Sequence, residues 1–468
     1  MTKKTTGRVY TPNHIVKLVL NAAEYRGETI LDRHVIDNSA GDGAFLTEIV
    51  HRYCNAHLTA GRPLDTLPTA LETYIHGIEI DAGEAERCKH NLDTVAHTYG
   101  IEGVTWDVEA ADAFTVTRHD GRMDFVVGNP PYVRIHNLGK HYAAVRGSRF
   151  TTQGMTDLYI AFYDIGLRML NDTGVLSYIT PSSLNHSKAA QPLREHLIHH
   201  DQLTRVIDLH HEQPFEATTY TAIYVLRHPN APKPHDGIQF AYYDPTNPEP
   251  YWYPLDADLI NRNGYHYYAP PHALQTFHEI VTHQSPTPAT RVKNGFATLA
   301  DKIFIGDFDF DHTIPVVKAS TGQWKRSIFP YRDGHPIAFE EMHDPNLRAY
   351  LLGARKALEA RSLAPQTRWY EFGRSQAIND VPHTQYAVNS LIKTPSSVRV
   401  IEAGPGTGVY GGLYVRTDHS RAAIEDALTQ DRFMHYIQTL GKYKSGGYYT
   451  FSSIDLQRYL NHYFDTRR

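Results

Sequence analysis

The chain has 468 residues, more than one hydrophobic core usually organises, so two domains are expected. Its 41% hydrophobic and 21% charged residues exclude a disordered chain, and the lack of a long uninterrupted apolar run argues against a membrane span. The net charge of −5 does not suggest a nucleic-acid binder, but it averages unlike halves: 22 Lys and Arg against 28 Asp and Glu over residues 1–240, and 23 against 18 over residues 291–468. The polar start Met1-Thr2-Lys3-Lys4 is not followed by the apolar stretch of a signal peptide, so a cytoplasmic protein is expected. Two cysteines, Cys54 and Cys88, fit a reducing compartment and no cysteine zinc site. The 29 histidines are scattered, and His196, His199, His200 and the pair His210, His211 lack companion carboxylates; no metal site is expected.

Thr11-Pro12 reads as the N-cap and first position of a helix carrying Ile15, Val16, Val19, Leu20 and Ala23. A strand His34–Asp37 follows, then the Gly-bearing turn Asn38–Gly43, then a helix from Ala44 with Phe45, Leu46, Ile49 and Val50 on one side. Strand 74–80, ending in Glu79 and Ile80, leads to a helix over about 82–99, and a third strand over Val104–Val108 runs into Asp112-Ala113-Phe114. The fourth strand is Met123–Val127. Beyond it the alternation continues with a helix at 158–170, a strand at 174–180, a helix at 189–200 and strands at 203–209 and 220–226. Strands alternating with helices over some two hundred residues predict an α/β fold with a mostly parallel sheet covered on both faces. Prolines 229, 232, 234, 245, 248, 250 and 254 then crowd together, and the domain junction is placed here, giving domains 1–245 and 246–468. From Arg291 onward short strands, turns rich in Gly and Tyr, and helices near 346–360 and 419–440 predict an α+β second domain.

The fourth strand ends in Gly128-Asn129-Pro130-Pro131-Tyr132. Ligands of open α/β sheets bind at the carboxyl ends of the strands, so this loop is expected to line a site. Two prolines remove two backbone donors and fix the chain, leaving rigid carbonyls and the Asn129 amide facing the ligand. Asn129 and the Pro130 carbonyl can each accept a hydrogen from an exocyclic base amine, while Tyr132 offers a face for stacking; a proline-rich turn after a core strand is the plainer alternative. The turn Asp37–Gly43 is not the dinucleotide fingerprint, and its leading acid suits a cationic or amine-bearing ligand better than a pyrophosphate. Glu79 could accept ribose hydroxyls and Asp112 an adenine amine. These acids stand at successive strand ends, in register with Asn129.

In order and content these motifs resemble the gamma-class amino-methylating DNA adenine methyltransferases of type II restriction–modification systems. Tyr10-Thr11-Pro12, Asp37–Phe45, Glu79-Ile80-Asp81, Asp112-Ala113-Phe114 and Asn129-Pro130-Pro131-Tyr132 follow the family's order, as do Asp157-Leu158-Tyr159, Gly174–Pro181 and Phe215 before Thr219–Leu226. The likeness covers residues 8–228. The tetrapeptide alone is shared with protein-glutamine methyltransferases, and Asn38 stands where a proline is commoner. The resemblance implies a Rossmann-like S-adenosylmethionine-dependent methyltransferase sheet, followed by a target-recognition domain. It implies cofactor contacts by Thr11, Asp37, Ser39, Gly41, Glu79, Ile80, Asp112 and Ala113. Catalysis would rest on the loop Asn129, Pro130, Pro131 and Tyr132, with Tyr132 and Phe215 sandwiching an adenine flipped out of double-stranded DNA. It further implies a separate cognate restriction endonuclease as partner. Cytosine-N4 methylation uses the same geometry, although Ser at the Asn129 position is more usual there; protein-glutamine methylation and an inactive DNA-binding module are the other readings.

Gly295, Thr298, Asp301 and Phe304, then Trp369-Tyr370-Glu371 with Arg374-Ser375-Gln376, resemble motifs of target-recognition domains. Lys442 and Lys444 in the Gly-rich stretch 441–451 would suit phosphates, or belong to a surface turn. Arg134, Arg146, Arg149 and Arg374 are candidate DNA contacts, with solvated loop arginines as the alternative.

Overall fold

Val35–Asp37 is short for a strand, and it is held as one because it is flanked on both sides by longer parallel neighbours. In the computed structural model this strand, β1, lies between β2 (Ile75–Glu79) and β4 (Met123–Gly128), with Asp37 level with Gly77 and Val127. Adding β3 (Asp107–Ala110), β5 (Leu170–Pro181), β6 (Leu203–Asp208), β7 (Thr221–Arg227), β8 (Ile238–Tyr242) and β9 (Tyr253–Leu255) gives one nine-stranded sheet, ordered β3-β2-β1-β4-β5-β7-β6-β8-β9. β7 runs antiparallel to both of its neighbours. The structure describes residues 10–134, 142–215, 219–247, 249–286 and 290–467; the chain start read above, through residue 9, and Pro248 lie outside them.

Helices cover both faces, as the alternation predicts. Asn13–Ala22, Ala44–Thr59 and Ala82–His97 bury Val16, Val19, Leu46, Ile49, Val50 and Leu92 on one side. Leu158–Met169 and Gln191–His199 bury Ile160, Tyr163, Leu193 and Leu197 on the other. Each fully buried aliphatic side chain of this kind contributes about 1.5–3 kcal/mol, so the two layers are driven chiefly by apolar burial. Asp81 caps the helix at Ala82 by accepting the amides of Gly83 and Glu84.

Four expectations need correction. The first helix begins at Asn13 with Pro12 as its cap residue, and Thr11 does not cap it, because its hydroxyl is engaged by Asn129. The third strand begins at Asp107 and not at Val104; Trp106 is turned aside by an indole hydrogen bond to Asp93 (2.7 Å), and the ladder with β2 starts only with the pair His76 and Asp107. The chain divides at Leu274 and Gln275, not at 245 and 246. Crowded prolines mark where ladder donors are missing, not where a core ends: β9 pairs with β8, and Leu255, Ile260, Tyr268 and Leu274 are buried in the core of the first unit. Last, the helix read over 419–440 is two, Arg421–Leu428 and Asp431–Thr439, separated by Gln430 in an extended conformation.

The second unit is α+β. Arg291–Asn294, Leu413–Arg416, Gln385–Val388 and Val400–Ala403 form one four-stranded sheet; Ile305–Gly306, Trp324–Ile328, Thr313–Lys318 and Gly408–Tyr410 form another. Phe296 stacks on Phe372 at 4.7 Å in a core shared with Phe304, Tyr370 and the helix Pro345–Glu359. Buried Asp380 accepts from Lys293 (2.8 Å), Tyr414 (2.6 Å) and Arg416, which ties two strands of the first sheet together.

Candidate active site

Strand order reverses between β1 and β4, and the crevice at that switch point is where a doubly wound sheet offers a ligand site. The structure puts a cleft there. Its walls are Tyr10, Thr11, Asp37, Ser39, Ala40, Gly41, Asp42, Ala44, Phe45 and Asn129, so the ends of β1 and β4, the Gly-rich turn and the segment before the first helix meet at one place.

Two glycines make this convergence possible. A Cβ on Gly128 would lie 2.6 Å from Asp37 Oδ1, and one on Gly43, at φ 92°, would lie 2.7 Å from Cys88 Sγ. Any side chain at Gly128 would therefore push the β4 loop away from Asp37. The turn is stitched to β2 as well: Glu79 accepts the Gly41 amide at 2.8 Å and the Asp81 amide at 2.9 Å, and the Ala40 amide donates to Ile78 O at 2.9 Å.

The Asn129 amide is set by a single contact. Its Nδ2 donates to Thr11 Oγ1 at 3.0 Å, which turns Oδ1 the other way. That oxygen is buried and has no hydrogen-bond partner among the described residues. A buried acceptor left open costs about 1–3 kcal/mol, and such groups mark places where a ligand supplies the missing donor.

Tyr132 and Phe215 are neighbours, but their rings stand edge to face, 78° apart with centroids at 6.4 Å. A base cannot lie between two rings in that attitude; the sandwich read from the sequence requires one ring to turn. Tyr132 is also fastened through its hydroxyl, which donates to Ile179 O at 3.1 Å. Tyr132→Phe is therefore expected to weaken catalysis measurably, by the roughly 0.5–1.5 kcal/mol of one hydrogen bond, as read from single-turnover rates. An unchanged rate would show that the hydroxyl's bond to Ile179 is not needed to hold the ring in place.

Burial, reinforced by the neighbouring Glu79, pushes the Asp37 carboxyl up to about 7, against the hydrogen bonds from the Ser39 amide (3.0 Å) and hydroxyl that hold it down. The sign of the pH effect follows. Unfolded Asp titrates near 3.9, so the protonated form is favoured by the fold, and stability falls as pH rises from about 4 to about 7. A cationic ligand reverses the preference, because it needs the carboxylate. Affinity for such a ligand is expected to fall about tenfold per pH unit below about 7 and to level off above it, measured by equilibrium dialysis, and Asp37→Asn should flatten the profile.

Of the sequence-derived cofactor residues, Thr11, Asp37, Ser39 and Gly41 line the cleft directly. Glu79 reaches it through Gly41. Ile80 is exposed, Asp112 is half-buried with its carboxylate accepting the Phe114 amide (3.1 Å), and Ala113 is buried. Sequence reasoning passed over Tyr10, Asp42 and Phe45, although all three sit inside the motifs that carried the reading.

Among the arginines and lysines, Arg134, Arg146, Arg374 and Lys444 are exposed. Arg149 is held by Asp164, at 2.5 Å from its Nε, and Lys442 by Asp455 at 2.6 Å, so both already serve the fold. The 441–451 stretch is a hairpin in which Tyr443–Lys444 pairs with Tyr448–Thr450 around Gly446 and Gly447, both at positive φ.

A sheet of this order, with an acid at the end of β1, a Gly-rich turn and an open amide acceptor after β4, is a doubly wound α/β sheet with its ligand cleft at the switch point. Residues 65–215, the stretch that holds β2 to β6, match the family described as Eco57I restriction-modification methylase. The chain is 32% identical over 241 residues to the type II methyltransferase M.BstVI of Geobacillus stearothermophilus, covering 48% of this chain and 43% of that protein. It is 27% identical over 426 residues to M.PaeR7I of Pseudomonas aeruginosa, covering 78% and 70%. The chain thus spans less than half the length of M.BstVI and 42% of M.XhoI of Xanthomonas vasicola, but more of M.PaeR7I. In fold it is similar to the Type IIL restriction-modification enzyme MmeI, solved in complex with DNA, at 14% identity and a TM-score of 0.61 over 94% of this chain and 63% of that one.

S-adenosylmethionine is the methyl donor of such enzymes, and the cleft fits it on its own chemistry. The Asp37 carboxyl in its wall suits a ligand that carries positive charge, and the backbone at Gly41, with open space where a side chain would stand, admits close approach.

Proposed function

We propose that this chain is a site-specific DNA methyltransferase that methylates the N6 amine of an adenine in double-stranded DNA, with the first unit performing the transfer and the second recognising the target sequence. The observation that carries this reading is the open, buried Oδ1 of Asn129 beside the β1 turn.

Bound S-adenosylmethionine supplies an electrophilic methyl group on a sulfonium centre. The residues of this chain would do the rest. Asp37 favours the cationic cofactor over its neutral product, while Thr11, Ser39, Gly41 and Glu79 shape the cleft around it, with Ile80, Asp112 and Ala113 at the next strand ends. Asn129 Oδ1 and the Pro130 carbonyl each accept one hydrogen of the target amine. Holding both hydrogens in this way draws the nitrogen lone pair out of conjugation with the ring and directs it at the methyl carbon, so rate comes mainly from orientation and not from a strong base. Pro131 keeps the loop rigid, and Tyr132 with Phe215 provides the apolar surface for a base rotated out of the helix, since a stacked base cannot reach the cleft.

A separate endonuclease acting on the same site is the partner proposed for this protein; the relatives named as methyltransferases alone favour it, whereas MmeI is named as a restriction-modification enzyme. No helix of the described residues is long and apolar enough to cross a membrane.

Nucleoside analysis of DNA methylated by the purified protein tests the reading directly. N6-methyladenine confined to one sequence is the expected product. N4-methylcytosine would move the target to the other amino base, and DNA without any methyl group would remove the proposal.

A further inference from the structure

At the end of the sheet opposite the cleft, three stretches far apart in sequence bring imidazoles and a carboxylate together. The parallel register of β2 and β3 sets His76 level with Asp107, and the connection from β3 to β4 folds back to place His119 against them. Their ligand atoms all lie within 4.8 Å of one another, the only such group of three among the described residues. His76 Nδ1 is 2.6 Å from Asp107 Oδ2, and the rings of His76 and His119 are 5.0 Å apart. His119 is 2% exposed, and its Nε2 has no partner among the described residues.

We propose that His76, Asp107 and His119 form a binding site for a divalent transition-metal ion, zinc foremost. Two imidazoles and a carboxylate are a donor set that this class of ion takes, with water completing the coordination. The surroundings are those of a ligand set. The second nitrogen of His76, Nε2, lies 2.9 Å from Nδ1 of His34, so it can donate there while Nδ1 binds the ion. Asp107 is steadied by two hydrogen bonds from Arg118, at 2.6 and 3.0 Å. Such outer contacts orient ligands and are what distinguishes a built site from a chance meeting of side chains. A carboxylate offers about four lone-pair directions; Arg118 and His76 use three, and the ion would take over the direction now given to His76. Tetrahedral ligand distances of about 2.0–2.2 Å put donor atoms about 3.3–3.6 Å apart, so His76 Nδ1 and Asp107 Oδ2, now at 2.6 Å, must part by about 0.7–1 Å, within the reach of side-chain rotation. The ion would fasten the β3–β4 connection to the sheet edge, away from the chemistry.

The experiment uses the full chain without an affinity tag, stripped by a chelator and titrated with zinc by calorimetry and with cobalt(II) by visible absorption. One equivalent of tight binding is expected, with ligand-field bands of a low-coordinate cobalt and a raised melting temperature. His119→Ala should abolish all three, and His119→Asn serves if the alanine variant does not fold. His34→Ala should weaken binding about 10–100-fold, whereas His196→Ala, at a half-buried position in the separate group with His199 and His200, should leave binding unchanged. No stoichiometric uptake by the wild-type chain, or equal uptake by a folded His119 variant, overturns the proposal.

Discussion

Asn129→Ala is expected to slow methyl transfer by about 10²–10³-fold in single turnover, the roughly 2.7–4 kcal/mol that one preorganised polar group in a dry site contributes. Cofactor and DNA should still bind, because the substitution removes an acceptor aimed at the amine and leaves the β1 turn intact. The structure adds a graded companion. Thr11 holds the amide by its nitrogen, so Thr11→Val should free the amide to turn and cost about 0.5–1.5 kcal/mol, tenfold or less in rate. A double variant no slower than Asn129→Ala alone would show that Thr11 acts through Asn129. Near-normal transfer by Asn129→Ala would reduce the loop to a turn after a strand and take the methyltransferase mechanism with it.

The second large effect concerns division of labour. A fragment ending at Leu274 is expected to bind S-adenosylmethionine with near-normal affinity in calorimetry, and to lose the sequence preference that for specific DNA-binding proteins amounts to about 10³–10⁷ over random sequence. Residual binding should be electrostatic and fall steeply with salt. The end point matters. A fragment stopped at the proline-rich stretch, near residue 245, would delete β9 and the buried Leu255, Ile260 and Leu274, and should be much less stable. If the longer fragment still methylated one defined site, recognition would belong to the first unit and not to the residues after it.

Most of the first unit's sheet is legible in sequence because parallel strands buried on both faces are continuous apolar runs, and the helices between them carry one apolar stripe each. The residues at the carboxyl ends of β1, β2 and β4 are legible for the same reason: once a strand is placed, its last residue is placed too. Where the reading slipped, long-range contacts had the deciding vote. Thr11 looks like a helix cap and is bound instead by Asn129, 118 residues away. The segment after residue 245 looks like a linker and becomes the sheet's last strand because β8 presents an edge to it. His76, Asp107 and His119 carry no common spacing, and only the register of β2 on β3 brings them together. Local pattern and propensity, read along the chain, determined the order of strands, helices and strand-end acids; which side chains share a hydrogen bond or a cavity was decided by tertiary structure, because partners in space have no fixed distance in sequence.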